Sequence, residues 1–246
     1  MDILVTIDDT DNLLSRGTGH LAEILRKDIE KIFKGTTSRI TRHQLFVCDE
    51  IPYTSHNSAM CFEASINKPD IQDLIKYCAN FLESESAEGS DPGLCVAAVN
   101  ELKKKDTLIQ FGKDATKKVL TKDQAYTLAG KLGIHLSEHG GTGGGVIGAL
   151  AGTGLRLYGN NGRFRGWLEF ADNERNTTIK KLLEREEIDQ IATESGLIPA
   201  LNDPVILQDK VKTVFLNNQS VLLVRQVYAS SEILWENLEK EEIKKY

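Results

Sequence analysis

Paired cysteines are what this chain of 246 residues most plainly lacks. Its four cysteines, Cys48, Cys61, Cys78 and Cys95, stand far apart with no C-x-x-C pair, so no zinc ribbon or knuckle is encoded. Cys48, Cys61 and Cys95 lie in apolar runs and are expected to be reduced core thiols. No apolar run is long enough to cross a bilayer, and Asp8, Asp9 and Asp11 interrupt the first one before it could serve as a signal-peptide core. The expectation is a soluble cytoplasmic protein with no membrane partner. Excess positive charge is missing too. The 36 acidic and 30 basic residues give a formal charge of -6, which argues against bulk adhesion to nucleic acid. Lys103 to Lys105 with Lys117 and Lys118, or Arg163 with Arg165, leave room for a local basic patch, although such runs are more often a solvated face.

What the chain does have begins at its first apolar run, Ile3 to Ile7, a strand expected to be buried on both faces. That strand delivers Asp8, Asp9, Thr10, Asp11 and Asn12 to one point. Three like charges so close together repel one another, and a carboxylate at a strand end is stable mainly when solvated, hydrogen-bonded or paired with a cation. Asp8, Asp9 and Asp11 are therefore candidate ligands of a divalent cation, with Mg²⁺ the natural choice for hard oxygen donors that also meet phosphates. An Asp-rich turn with no ligand is the alternative reading. The acidic loop feeds a helix whose apolar positions are Leu21, Ile24, Leu25, Ile29, Ile32 and Phe33, with Thr18 placed as its N-cap. A helix start of this kind suits phosphate. Gly17 and Thr18 are candidate amide donors to it, and Arg16 is a candidate charge clamp.

Strands are expected over Ser38 to Cys48 and Ala59 to Ile66, then a helix opened by Pro69, an exposed loop from Glu83 to Gly93, and a strand from Leu94 to Val99. This order of strand, helix, strand, strand, helix, strand is the ferredoxin-like split βαβ arrangement. Helical pattern follows from Leu102 to Gly133, broken near Leu120, with Thr121 and Gln124 forming a capping box. A second unusual stretch runs from His135 through His139, Gly140, Gly141, Thr142, Gly143, Gly144 and Gly145 into the small residues Gly148, Ala149, Ala151 and Gly152. Such glycine density marks positive φ or close approach of backbone or ligand, and the small residues let the next helix pack tightly. Beyond it, Leu155 to Tyr158 and Phe164 to Phe170 read as a hairpin, and Glu184 to Ser195 as a polar helix. Val205 to Leu207, Thr213 to Leu216 and Val221 to Arg225 read as strands, and Ser231 to Ile243 as an amphipathic helix. Its apolar face would pack within the chain or against a second copy, as a homodimer. The expected fold class is α+β, with a ferredoxin-like unit carrying the acidic motif over residues 1–100. Residues 101–246 would hold the helical segment, the glycine-rich block and a second α+β unit.

Four blocks together resemble a known family. Ile7-Asp-Asp-Thr-Asp11, Ile51-Pro-Tyr53 followed by Asn57, Asp91-Pro-Gly93, and Gly143-Gly-Gly-Val-Ile-Gly-Ala-Leu-Ala151 occur in the order found in the archaeal agmatinylcytidine synthetases that modify a minor isoleucine tRNA. The resemblance covers residues 3–155. It implies a kinase-like catalytic part that uses ATP and Mg²⁺, associated with a ferredoxin-like module. In that family ATP phosphorylates a cytidine oxygen and agmatine then displaces the phosphate. Asp8, Asp9 and Asp11 match the acidic motif, and Thr18 lies where the family has a threonine that takes up phosphate. There the neighbourhood is Cys-Thr-Thr, whereas here it is Gly17-Thr18-Gly19. The family has arginine where this chain has Gly144, and glycine where it has His56. The family's OB-fold and zinc ribbon, which grip tRNA, have no counterpart in this length and cysteine pattern.

The resulting expectation is an ATP- and Mg²⁺-dependent phosphotransferase or ligase acting on a small-molecule or nucleoside-type acceptor rather than whole tRNA. Asp8, Asp9, Asp11 and Thr18 would carry the chemistry. Arg16, Gly17, Gly143, Gly144 and Gly145 would hold the nucleotide, and Tyr53, His56, Asn57 and His139 the acceptor. A non-catalytic nucleotide- or RNA-binding module, and an RNA-modifying enzyme that borrows its tRNA grip from a partner chain, are the alternatives.

Overall fold

The first apolar run forms β1, Asp2–Asp8, with every residue from Ile3 to Asp8 buried, in a computed structural model that describes residues 1–51, 57–229 and 232–246. Continuous burial along a strand means that both faces of its sheet are covered. The next elements are α1 (Thr18–Phe33), β2 (Thr36–Thr37), β3 (Thr41–Gln44), β4 (Ser58–Ser65), α2 (Ile71–Glu85) and β5 (Gly93–Ala98). β1 pairs antiparallel with β4 on one side and β5 on the other, and β3 pairs antiparallel with β4. The order β5-β1-β4-β3 is that of the ferredoxin-like split βαβ unit expected from the sequence.

On one face Ile3, Val5 and Ile7 pack with Phe62 and with Leu21, Leu25 and Ile29 of α1 and Leu74 and Leu82 of α2. The other face is covered by α3 (Lys105–Ala115), α4 (Lys122–Leu132) and α5 (Gly145–Tyr158), with β6 (His135–Glu138) added antiparallel to β5. Both signals of the Thr121 capping box are realised at α4, which ends at Gly133 in the left-handed conformation. Glycines allow the close crossings here. A Cβ at Gly154 would overlap the Leu108 carbonyl of α3, and one at Gly152 would press on Thr6 and Ala59 of the sheet. Thr6 and Thr153 share a buried hydroxyl hydrogen bond of 2.7 Å between β1 and α5.

The chain divides into two units, Met1–Tyr158 and Gly159–Tyr246. The boundary expected at residue 100 therefore moves to 158, because the helices after residue 100 bury their apolar faces on the first sheet. Leu155 to Tyr158 is not a strand but the last turn of α5. The second unit is made of β7 (Arg163–Phe164), β8 (Asn176–Thr178), α6 (Ile179–Leu182), β9 (Gln190–Ala192), β10 (Pro204–Ile206), β11 (Val214–Leu216), β12 (Gln219–Ala229) and β13 (Glu232–Asn237). β11 and β12 form the hairpin expected through Asn217 and Asn218, both at positive φ as a tight hairpin turn requires. Two expected helices are absent. Within Glu184 to Ser195 lies β9, paired parallel with β12, and within Ser231 to Ile243 lies β13, paired antiparallel with β12. Trp235, Leu238 and Ile243 are buried within their own unit, the first of the two expectations for the apolar residues of this segment. Cys61, Cys78 and Cys95 are buried free thiols, while Cys48 is only half-buried. Among the described residues, no helix is long and apolar enough to cross a membrane.

Candidate functional site

The acidic end of β1, the start of β5 and the start of α5 meet at a cleft of about 250 Å³ in the first unit. Asp8, Asp9, Asp11, Asp91 and Thr18 are among its polar lining residues, and Leu45, Ala115, Val119, Leu120 and Ile147 among its apolar ones. Asp8 is the last residue of the buried strand and is 7% exposed. It points at α5, where a Cβ on Gly148 would overlap its carboxylate. Burial, together with the charges of Asp9 and Asp11, pushes the Asp8 carboxyl from 3.8 up to about 8, partly offset by a hydrogen bond from the Asp9 backbone. Asp9 sits in the left-handed region at φ 52°, a conformation that Asp tolerates better than most residues. Burial and the neighbouring charges of Asp91 and Asp11 push its carboxyl up to about 6. Buried and half-buried carboxylates that raise one another's pKa are relieved when a cation binds among them.

Thr18 does not cap α1. Gly17 occupies that place with no side-chain cap, and Thr18 is the first helical residue. Its hydroxyl instead donates to Asp11 Oδ1 at 2.8 Å and accepts from the Thr10 hydroxyl at 3.1 Å and the Thr10 backbone N–H at 3.3 Å. Asp11 is thus turned towards the helix start. Among the described residues, no three Asp, Glu, His or Cys side chains stand together as a ready metal site. The donor chemistry still suits Mg²⁺, which keeps several waters and needs only one or two protein carboxylates beside its phosphates. Asp8 and Asp9 would supply them.

The other expected site residues separate into those at the cleft and those elsewhere. Gly144 and Gly145 line it. Gly143, at φ 75°, leaves no room for a Cβ beside Glu138 and Lys122, so its task is to shape the loop. Asn57 lines the cleft, but its side-chain amide donates to the Phe46 carbonyl at 2.7 Å and braces the chain entering β4. Arg16 is 52% exposed and pairs with Glu85 at 2.7 Å instead of facing the cleft. His139 is held by Ser137 at 2.8 Å and faces Glu83 at 3.3 Å, and it is not among the lining residues. Tyr53 and His56 lie outside the described residues. Asp91, which also lines the cleft, has no site role in the sequence reading; the signal that could have found it is the Asp91-Pro-Gly93 block of the family resemblance. Lys118 stands out in the sequence only as part of a basic run. It lines the cleft rim while paired with Asp114 at 3.0 Å.

Fold and site together define an α+β unit with a carboxylate-lined cleft at the strand ends, closed on one side by a glycine-rich helix entry. No protein-family profile matches this chain, and no curated protein does either. Solved structures do. The chain is similar to a tRNA fluorescent labeling enzyme, 28% identical, with 63% of this chain and 36% of that one covered and a TM-score of 0.55. It is equally similar to apo TiaS, a tRNA agmatidine synthetase, at 26% identity, 63% and 35% coverage and a TM-score of 0.55. The match to the complex of TiaS with its tRNA and ATP covers 82% of this chain and 50% of that one, at 21% identity and a TM-score of 0.57, and is a likeness of fold. The chain spans about a third of the length of the first two proteins. These likenesses agree with the resemblance to the catalytic part of the agmatinylcytidine synthetases that the four sequence blocks carry.

Proposed function

We propose that this chain is an ATP- and Mg²⁺-using enzyme part, related to the tRNA agmatidine synthetases, that transfers a phosphoryl group to an oxygen of a small-molecule or nucleoside-type acceptor. The observation that carries the reading is the pair Asp8 and Asp9. Both carboxyls are raised by burial and like charge in a cleft lined by polar and apolar residues together. Mg²⁺ bound there supplies positive charge to offset that of the phosphates, the dominant requirement of phosphoryl transfer. The apolar wall of Leu45, Ala115 and Leu120 suits a flat base. The α1 start, with no side-chain cap, supplies amides for phosphate. A bond forms between the acceptor oxygen and the γ-phosphorus as the bond to the ADP oxygen breaks. With a hydroxyl acceptor the proton would pass to a cleft carboxylate that does not hold the cation, or to an oxygen of the transferred phosphoryl group.

Likeness to a protein solved with tRNA and ATP favours a second reading, in which whole tRNA is the acceptor. The formal charge of -6 weighs against it. Labelled ATP with Mg²⁺ is incubated with cytidine, a panel of hydroxyl and carbonyl metabolites, or tRNA, each with and without agmatine. ADP and labelled acceptor are then measured. The expected result is Mg²⁺-dependent ADP formation stimulated by a small acceptor and lowered at least about 100-fold in Asp9→Asn. Turnover with tRNA alone would move the assignment to the second reading. Saturable ATP binding without any turnover would make this a binding module.

A further inference from the structure

The glycine-rich loop is pinned at several points, and Asp91 supplies most of them. Its carboxylate accepts from the Thr142 backbone N–H and, at 2.7 Å, from the Thr142 hydroxyl. Its carbonyl accepts from the Gly145 N–H at 3.0 Å. From the other side the Lys122 ammonium donates to the Thr142 carbonyl at 2.6 Å. Gly141 explains itself here, because a Cβ at that residue would overlap the Asp91 carboxylate. The loop is therefore wrapped round a carboxylate of its own chain. That carboxylate also lines the cleft and acts by like charge on Asp9.

Asp91 is thus subject to two attractions, the neutral donors of Thr142 and whatever positive charge enters the cleft. Partly removed from water, a divalent cation attracts a carboxylate more strongly than a hydroxyl does. We infer that Asp91 is a positioning residue that couples the Gly140–Gly145 loop to the cleft, with the Thr142 donors and the cation of a bound metal–nucleotide competing for its carboxylate. The inference rests on the Mg²⁺-nucleotide reading of the site. It assigns to the loop a release on ligand binding: the Thr142 hydroxyl and amide are given up as Asp91 turns to the cation.

Binding of Mg²⁺ with a non-hydrolysable ATP analogue, and of Mn²⁺ alone, is measured by calorimetry on the whole chain. Wild type, Asp91→Asn, Thr142→Val and Asp9→Asn are compared, each checked for folding by circular dichroism. Competition predicts opposite signs. Asp91→Asn weakens binding about tenfold or more, whereas Thr142→Val, which removes a competitor, tightens it about threefold. A loop that merely needs its hydrogen bonds would weaken in both variants, and that outcome overturns the inference, as does wild-type binding in Asp91→Asn. Should Asp9→Asn abolish binding while neither the 91 nor the 142 variant changes it, this inference falls and the site reading stands. No binding by wild type overturns both.

Discussion

In Met1–Tyr158 a sheet is covered on both faces, and its central strand is buried from Ile3 to Asp8. In Gly159–Tyr246 the strands are short, β12 and β13 apart. Across β12 and β13 lies an ion-pair cluster, Arg225 with Glu236 at 2.8 Å and with Glu242 at 2.7 Å. The first unit can therefore carry an acidic residue to the end of a buried strand and hold it there against a glycine of α5, which is how Asp8 comes to line the cleft. The second unit has no comparable convergence of buried carboxylates among its described residues. The contrast teaches that the site depends on double-sided packing, so variants that disturb the packing of α5 on β1 should cost most.

The largest effect is expected where that packing is tightest. Gly148→Val, which drives side-chain atoms into the Asp8 carboxylate, should destabilise the chain by about 3 kcal/mol or more in urea denaturation. Gly166→Ala in the second unit, where nothing lies within 4 Å, should cost only about 1 kcal/mol, from its positive φ. Equal losses would erase the contrast. Next comes pH. The folded chain holds the Asp8 proton up to about 8 and the Asp9 proton up to about 6, against 3.8 for an ordinary Asp. The resulting stabilisation is full below the unfolded value and is lost as pH rises through about 6 and then about 8. In metal-free buffer the buried Asp8 alone should give a fall on the order of a few kcal/mol across that window. Asp8→Asn should flatten it, and a pH profile unchanged in that variant would place the titration elsewhere. Smallest is Arg225→Ala, expected to cost about 1 kcal/mol and to matter less at high salt, since its side chain is 38% exposed. A loss matching Gly148→Val would mean that the ion pairs, not the short strands, hold the second unit.

Legibility in the sequence follows the same division. The continuous apolar run of β1, the stripes of α1 and α2 and the capping box of α4 are local signals, and their burial agrees with them. The acidic motif was legible because three carboxylates after a buried strand are costly on their own. Leu155 to Tyr158 misled because the alternation Leu-Arg-Leu-Tyr fits a strand, while in three dimensions Gly152 and Gly154 let α5 run on against the sheet and α3. The segment Glu232 to Asn237 has helical spacing, but pairing with β12 decides its form. Asp91 stood out only within the Asp91-Pro-Gly93 block and received no site role, because its partners Asp9 and Thr142 are distant in the chain. His139 and Arg16 looked available for chemistry until Ser137 and Glu85 claimed them.

The central claim is that the end of β1 binds a nucleotide through a cation, and titration calorimetry with a non-hydrolysable ATP analogue tests it most directly. Wild type should bind the analogue with Mg²⁺ present and lose at least about tenfold in affinity with EDTA or in Asp9→Ala. Binding that is unchanged without Mg²⁺, or unchanged in Asp9→Ala, would contradict it.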